Sequence, residues 1–247
     1  MEAMFKSPFS RWCDQMWLYL VYLLGVAMTC YLLWNWAAFD LPQKLACMLA
    51  VAVPLHVFEE NTFPGGFFYM NNMGFGSKEP MVYPQNRCTN MITNLGAEIV
   101  IIAVALNAAT IEPVVMSLVV FFALGETVNH TRSGILMYRK FKDRGKRTVY
   151  GPGLVTSWCV LVPMAAVALR WLVDCGATVW EVVGGIGIFL GIAVFLILVP
   201  SRSRFASRAG NTPFATRATS RSTLTARVEG CLWEQRLVED KKAAFGW

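Results

Sequence analysis

The sequence predicts an all-α fold: a polytopic membrane helix bundle of about six transmembrane helices, with both termini cytoplasmic. Three observations predict it. Of the 247 residues, 55% are apolar and only 15% charged, against about 25% charged in an ordinary soluble domain. The apolar residues fall in long runs, each near the ~20 residues needed to cross a bilayer. The basic residues fall almost wholly on one side of those runs. This composition excludes a disordered chain and argues against a soluble globule.

Six segments qualify as spans, at 16–38, 41–58, 94–111, 113–130, 153–173 and 179–199. The first is too long for the apolar core of a signal peptide, about 7–15 residues, and is read as a retained helix. The second is the weakest, because Lys44 and Pro54 interrupt it. The third and fourth are joined only by Thr110, Ile111, Glu112 and Pro113, which forces a tight antiparallel hairpin. Pro113 suits the first turn of a helix, where a missing N–H costs nothing. With six spans both termini share a side with the loops after spans two and four. Those parts hold 2, 2, 7 and 9 basic residues, 20 of the 22, which leaves Lys44 and Arg170 on the other face. Lys and Arg mark the cytoplasmic side, so both termini are expected there.

Two units follow: a transmembrane bundle over 1–200 and a tail over 201–247. The stretch 201–227 is rich in Ser, Thr and Arg, builds no core, and is expected to be disordered. Its arginines suit anionic headgroups, at about 1 kcal/mol each near the surface. The net charge of +6 is thus explained by the membrane, and no nucleic acid is expected as a partner. A short amphipathic helix is expected at 229–244. The seven cysteines are scattered without C-x-x-C pairs and read as small apolar residues, with neither a disulfide framework nor a zinc ribbon. No nucleotide cofactor motif is present.

The polar residues converge on one end of the bundle. Span two closes with His56, Glu59 and Glu60, at i, i+3 and i+4, which places them on one helical face. Span three opens with Asn94 and Glu98. Span four closes with Glu126, Asn129 and His130. Span five is preceded by Tyr150, Gly151, Pro152 and Gly153. All four groups fall at ends that the charge count makes cytoplasmic, and both histidines of the chain are among them. An ionisable residue within a span normally faces the bundle interior and has a role. Asn129-His130-Thr131 matches a glycosylation sequon, silent on a cytoplasmic face.

His56-Val57-Phe58-Glu59-Glu60, followed by Asn61, Pro64 and Phe67, resembles the HXXEE-motif integral membrane proteins. The spacings Asn94-x-x-x-Glu98 and Glu126-x-x-Asn129-His130, and the string Tyr150-Gly151-Pro152-Gly153, resemble that family's other motifs, over about residues 41–173. The resemblance implies a membrane enzyme and leaves its substrate open.

The residue types themselves suggest a metal site. Two imidazoles and several carboxylates form an N/O ligand set without thiolate, which suits Zn, Fe or Mn. The candidate ligands are His56, Glu60, Glu98, Glu126 and His130. Glu59, Glu60, Glu98, Asn94, Asn129 and Tyr150 are candidate catalytic or orienting groups. A dinuclear site would resemble the Glu and Glu-x-x-His pattern of di-iron bundles, though the spacing here departs from it. A mononuclear site with both histidines, one Glu and a water is as economical. Without metal, the same groups would serve acid–base isomerisation or cyclisation, or a proton-coupled transporter. The expected partners are the lipid bilayer and an amphiphilic small molecule, with Gly187 and Gly191 as a candidate homo-oligomer seam. The aromatic, glycine-rich loop 62–93 is read as a lid over the site or an interfacial anchor.

Overall fold

A computed structural model describes residues 12–81 and 83–202. Seven helices make up this region: α1 Trp17–Asn35, α2 Leu41–Asn61, α3 Phe67–Gly74, α4 Arg87–Leu106, α5 Glu112–Arg144, α6 Leu154–Asp174 and α7 Val179–Arg202. All but α3 are long and apolar enough to cross a bilayer, so the chain is a multi-pass membrane protein. The expected count of six spans stands. The expected tail and its short helix lie outside the described residues, apart from Ser201 and Arg202, which close α7.

Each boundary has a local cause. α2 starts at a capping box: Gln43 N–H donates to Asp40 Oδ1 at 2.8 Å, and Asp40 N–H to Gln43 Oε1 at 3.0 Å. The helix runs through Pro54 because α1 fills the groove there. A Cβ on Gly25 would come within 2.8 Å of Pro54 Cβ, so only glycine lets the two helices meet so closely. Tyr22 of α1 adds an edge-to-face contact with Phe58 and a 2.5 Å hydrogen bond with the Thr62 hydroxyl.

Three boundaries differ from the sequence expectation. α4 begins at Arg87, seven residues before the apolar run at 94. Asn86 accepts from the N–H groups of Cys88 and Thr89, and the Thr89 hydroxyl accepts from Asn86 N–H, so a polar cap rather than hydropathy sets the start. α5 does not stop at 130 but continues to Arg144. Its extension buries Ser133, Gly134, Met137 and Phe141 on one face and places Arg139 and Lys140 in the last α-helical turn, where cations suit the dipole. The loop after α2 also contains a helix, α3. Phe67, Phe68, Tyr69 and Met70 bury themselves against Met137 and Phe141 as a small second core.

The rest of that loop is held by two neighbouring asparagines: Asn71 Nδ2 donates to Gln85 Oε1 at 2.9 Å, and Asn72 makes the denser set of bonds. Asn72 Nδ2 donates to the carbonyls of Pro80 (2.9 Å) and Gln85 (2.7 Å), and Asn72 Oδ1 accepts from Gln85 N–H at 3.0 Å. Asn72 is fully buried, so Asn72→Ala leaves backbone groups unpaired. We expect a loss of about 1–3 kcal/mol, read as a lower thermal midpoint in detergent.

α5 is the hub: it packs on α6, α7 and α2, while α2 also packs on α1 and α4. The main core lies between these helices. α7 is peripheral, with only 11% of its apolar window buried. It meets α5 through Gly184 and Gly185, where a Cβ on Gly185 would sit 2.5 Å from Val114 O. Gly187 and Gly191 meet nothing and face away from the rest of the described chain.

Candidate metal centre

The last two turns of α2, the middle of α5 and the first turn of α6 meet at one end of the bundle. Asn61 of α2 joins Asn90 of α4 at this end, and Thr93 of α4 joins the second half of α7. The charged cluster thus sits where the ends of α2, α4, α6 and α7 come together.

His56 and Glu60 of α2, at i and i+4, point toward Glu126 and His130 of α5, also at i and i+4. The Nε2 of His130 lies 3.3 Å from Glu60 Oε1 and 3.4 Å from Glu126 Oε2. The Nε2 of His56 lies 3.6 Å from Glu60 Oε1 and 3.7 Å from Glu126 Oε2. The donor atoms of His56, Glu126 and His130 all fall within 4.8 Å of one another. An ion with bonds of about 2.0–2.1 Å has tetrahedral edges of about 3.3–3.4 Å, which the two His130 separations match and the two His56 separations slightly exceed; Glu60 stands outside the mutually close group of three.

The hydrogen bonds on the far side of each ring fix its tautomer. His130 Nδ1 lies 2.8 Å from the carbonyl of Pro152, which only accepts, so Nδ1 carries the hydrogen. His56 Nδ1 lies 2.7 Å from the Thr156 hydroxyl. That hydroxyl has one hydrogen and directs it to acceptors only, Glu59 Oε2 at 2.7 Å or Gly153 O at 3.3 Å. It therefore accepts from His56 Nδ1–H. Both Nε2 atoms are left facing the carboxylates, and both are buried without a hydrogen-bond partner among the described residues.

Glu59 does a different job. Its Oε1 accepts from Tyr150 OH (3.2 Å) and Val155 N–H (3.1 Å). Its Oε2 accepts from Thr156 N–H (2.8 Å) and the Thr156 hydroxyl (2.7 Å). The carboxylate thus caps the N-terminus of α6, where orphan N–H groups and the dipole favour an anion. Glu59 holds Thr156, and Thr156 holds His56.

The loop before α6 packs against the centre. Gly153 has φ +86°, and a Cβ there would overlap His130 Cε1. A Cβ on Gly151 would reach within 2.7 Å of Met70 Cε, and one on Gly134 would overlap Val149 O. The Tyr-Gly-Pro-Gly string is therefore a close-approach loop, with Tyr150 OH tied to Glu59. Phe67 of α3 lies over the His130 ring, centroid to centroid 4.2 Å, and the two imidazoles meet edge-on at 4.6 Å. The lid reading of the 62–93 loop gains a concrete form in Phe67. Of the four converging side chains, only that of Glu126 is partly open, at 23% exposure against 0% for His130.

The remaining candidates stand apart. Glu98 is fully buried on α4 but outside the converging group, and neither carboxylate oxygen has a hydrogen-bond partner among the described residues. Asn94 donates to Asn90. Asn129 is half-buried beside His130. Sequence reasoning misses Thr156, the Pro152 carbonyl and the position of Phe67 over His130. A hydroxyl or carbonyl that orients an imidazole has no spacing signature.

A family model described as "Protein of unknown function with HXXEE motif" matches residues 47–168. No curated protein and no solved structure matches the chain. The matched stretch contains both histidines, Glu59, Glu60, Glu126 and the loop that packs on His130, and this multi-pass membrane chain belongs to the HXXEE family.

Proposed function

We propose that the chain is a membrane metalloenzyme in which His56, Glu60, Glu126 and His130 hold one Zn, Fe or Mn ion. One observation carries this: both Nδ1 atoms are engaged on the far side of their rings, so two buried Nε2 atoms face two carboxylates across 3.3–3.7 Å, the nitrogens a metal would take. Hard oxygen and imidazole donors without thiolate favour those metals. One ion suits the set better than two, because His56, Glu126 and His130 form the one such donor group among the described residues, with Glu60 joined to it by its contacts to both histidines and Glu98 outside it. When bound, the ion would act as a Lewis acid and acidify a water. The chain's own groups hold and shield it. Glu59 and Thr156 orient His56, the Pro152 carbonyl orients His130, Phe67 keeps water from the His130 side, and Glu126 lines the open side. Tyr150, tied to Glu59, and Asn129, next to His130 in the chain, are our candidates for orienting a substrate.

The one-sided distribution of Lys and Arg supports a cytoplasmic position for this end of the bundle, with both termini on the same face. A site at the membrane end of a bundle suits an amphiphilic, lipid-like substrate entering sideways. Hydrolysis or oxidation of such a molecule is the reaction class we assign. The test is elemental mass spectrometry of detergent-purified protein. About one equivalent of metal is expected in the wild type, with loss in both His56→Ala and His130→Ala. A wild type that takes up none of Zn, Fe or Mn after reconstitution would overturn the proposal.

The hydroxyl relay makes a sharper prediction. Thr156→Val removes the hydrogen bond to His56 without touching a ligand. Metal affinity should fall about 10–100-fold, as for other outer-sphere partners of a ligating histidine, and Thr156→Ser should restore it. Competition with a calibrated chelator measures both.

A further inference from the structure

Away from the His/Glu centre, α4 carries a second polar line that the proposed metal chemistry does not use. Asn90, Asn94 and Glu98 follow one another at i, i+4 and i+8 on one face of the helix. The opposite side of α4 meets α7: Thr93 bonds Leu196 O, and a Cβ on Gly96 would touch Leu196. The polar line therefore turns toward α2, where Asn61 receives it.

The amides along this line have a fixed direction. Asn61 Nδ2 donates to the Val57 carbonyl, so its Oδ1 is left to accept from Asn90 Nδ2, at 2.6 Å. Asn90 Oδ1 must then accept from Asn94 Nδ2, also at 2.6 Å. Asn94 Nδ2 spends both of its hydrogens on Asn90, on the carbonyl at 3.2 Å and on Oδ1. The inner end of the line is Asn94 Oδ1, and one turn further in stand the two oxygens of Glu98. All three are acceptors. Glu98 is 0% exposed, and neither of its oxygens has a hydrogen-bond partner among the described residues.

Nor does an ion pair neutralise Glu98. Packed on α4 are the helical turn Trp12–Met16, α1, α2 and α7. The titratable residues of these elements are Cys13 and Asp14 on the turn, Tyr19, Tyr22, Cys30 and Tyr31 on α1, Lys44, Cys47, His56, Glu59 and Glu60 on α2, and Glu181 and Arg202 on α7, with Arg87 and Cys88 on α4 itself. None of these forms a salt bridge with Glu98 among the described residues. α2 and α4 run antiparallel from the Asn61–Asn90 contact. At about 1.5 Å per residue, Glu98 lies about 12 Å inward of that contact and His56 about 7.5 Å, so the carboxyl sits deeper than the histidines. A bare carboxylate at such a place is not sustained in hydrocarbon; it takes a positive charge from outside the protein.

We propose that Glu98 and Asn94 form a monovalent-cation site, distinct from the His/Glu centre, which holds a proton or Na+ inside the bundle. The shared chemistry is a small cation bound by two carboxyl oxygens and one amide oxygen, with no protein donor in competition.

Two measurements on the full chain in lipid nanodiscs separate the sources. The first is the infrared band of a protonated carboxylic acid at neutral pH, present in wild type and missing in Glu98→Gln. The second is thermal unfolding as Na+ replaces choline at constant ionic strength. A proton site gives the band and no Na+ response. A Na+ site gives no band and a midpoint that rises by a few degrees with Na+, as mass action requires of a ligand of the folded state. Should Glu98→Gln fail to fold, Glu98→Asp, which moves the band, and the wild-type Na+ titration keep both readouts. Neither a band nor a Na+ response in the wild type overturns the proposal. Metal content of the His/Glu centre is read in the same samples, and it should be unchanged in Glu98→Gln, so the two sites fail or stand separately.

Discussion

Alanine at His130 is expected to strip the protein of its bound ion, lowering affinity by more than the roughly 100-fold upper range for losing an outer-sphere partner. The side chain is fully buried, its Nε2 reaches both carboxylates, and its Nδ1 satisfies the Pro152 carbonyl. Removing it therefore does three things. It deletes a nitrogen donor, opens a void beneath Phe67, and orphans a buried carbonyl, the last worth about 1–3 kcal/mol. Glu126→Gln separates the first effect from the others. That side chain is the most open of the four, and the amide matches its shape, so the fold should survive while one anionic donor is lost. Chelator competition with thermal unfolding on both variants checks this. Wild-type metal affinity in Glu126→Gln would remove Glu126 from the ligand set.

Gly153→Ala is expected to be nearly as damaging, although it touches no ligand atom. The backbone at 153 is left-handed, which costs an L-residue about 1–2 kcal/mol. The new methyl would overlap His130 Cε1. Either the loop retreats and loses its grip on His130 Nδ1, or the ring turns and its Nε2 leaves the carboxylates. We expect at least about 2 kcal/mol of destabilisation together with loss of metal. Gly187→Ala is the matched control: a Cβ there meets nothing, so its effect should stay within about 0.5 kcal/mol.

Of these residues, His130 is legible in the sequence and Gly153 only as part of a string. His56, Glu60, Glu126 and His130 can all be read, because an i, i+4 pair of ionisable residues on each of two spans, at the same membrane face, is too costly to stand there without a shared role. Glu59 and Glu60 cannot be told apart from sequence. One residue of helical rotation, about 100°, sends Glu60 toward α5 and Glu59 toward the start of α6. Glu98 groups with the ligands by sequence because periodicity tells which face a residue shares, not which neighbour that face meets or at what depth. The six spans are legible from hydropathy. The start of α4 and the far end of α5 are not, because caps and a small aromatic core set them.

The length of α5 has a mechanical consequence. Its 33 residues make a rod about 50 Å long, against a hydrocarbon layer of about 30 Å. Such a rod answers a thinner or thicker bilayer by changing its tilt. Glu126 and His130 ride on it, while His56 and Glu60 ride on the shorter α2. The proposed ion, gripped by both, would act as a rivet at the crossing of two levers, and lipid chain length would then become a control on its coordination, to be held fixed whenever two preparations are compared.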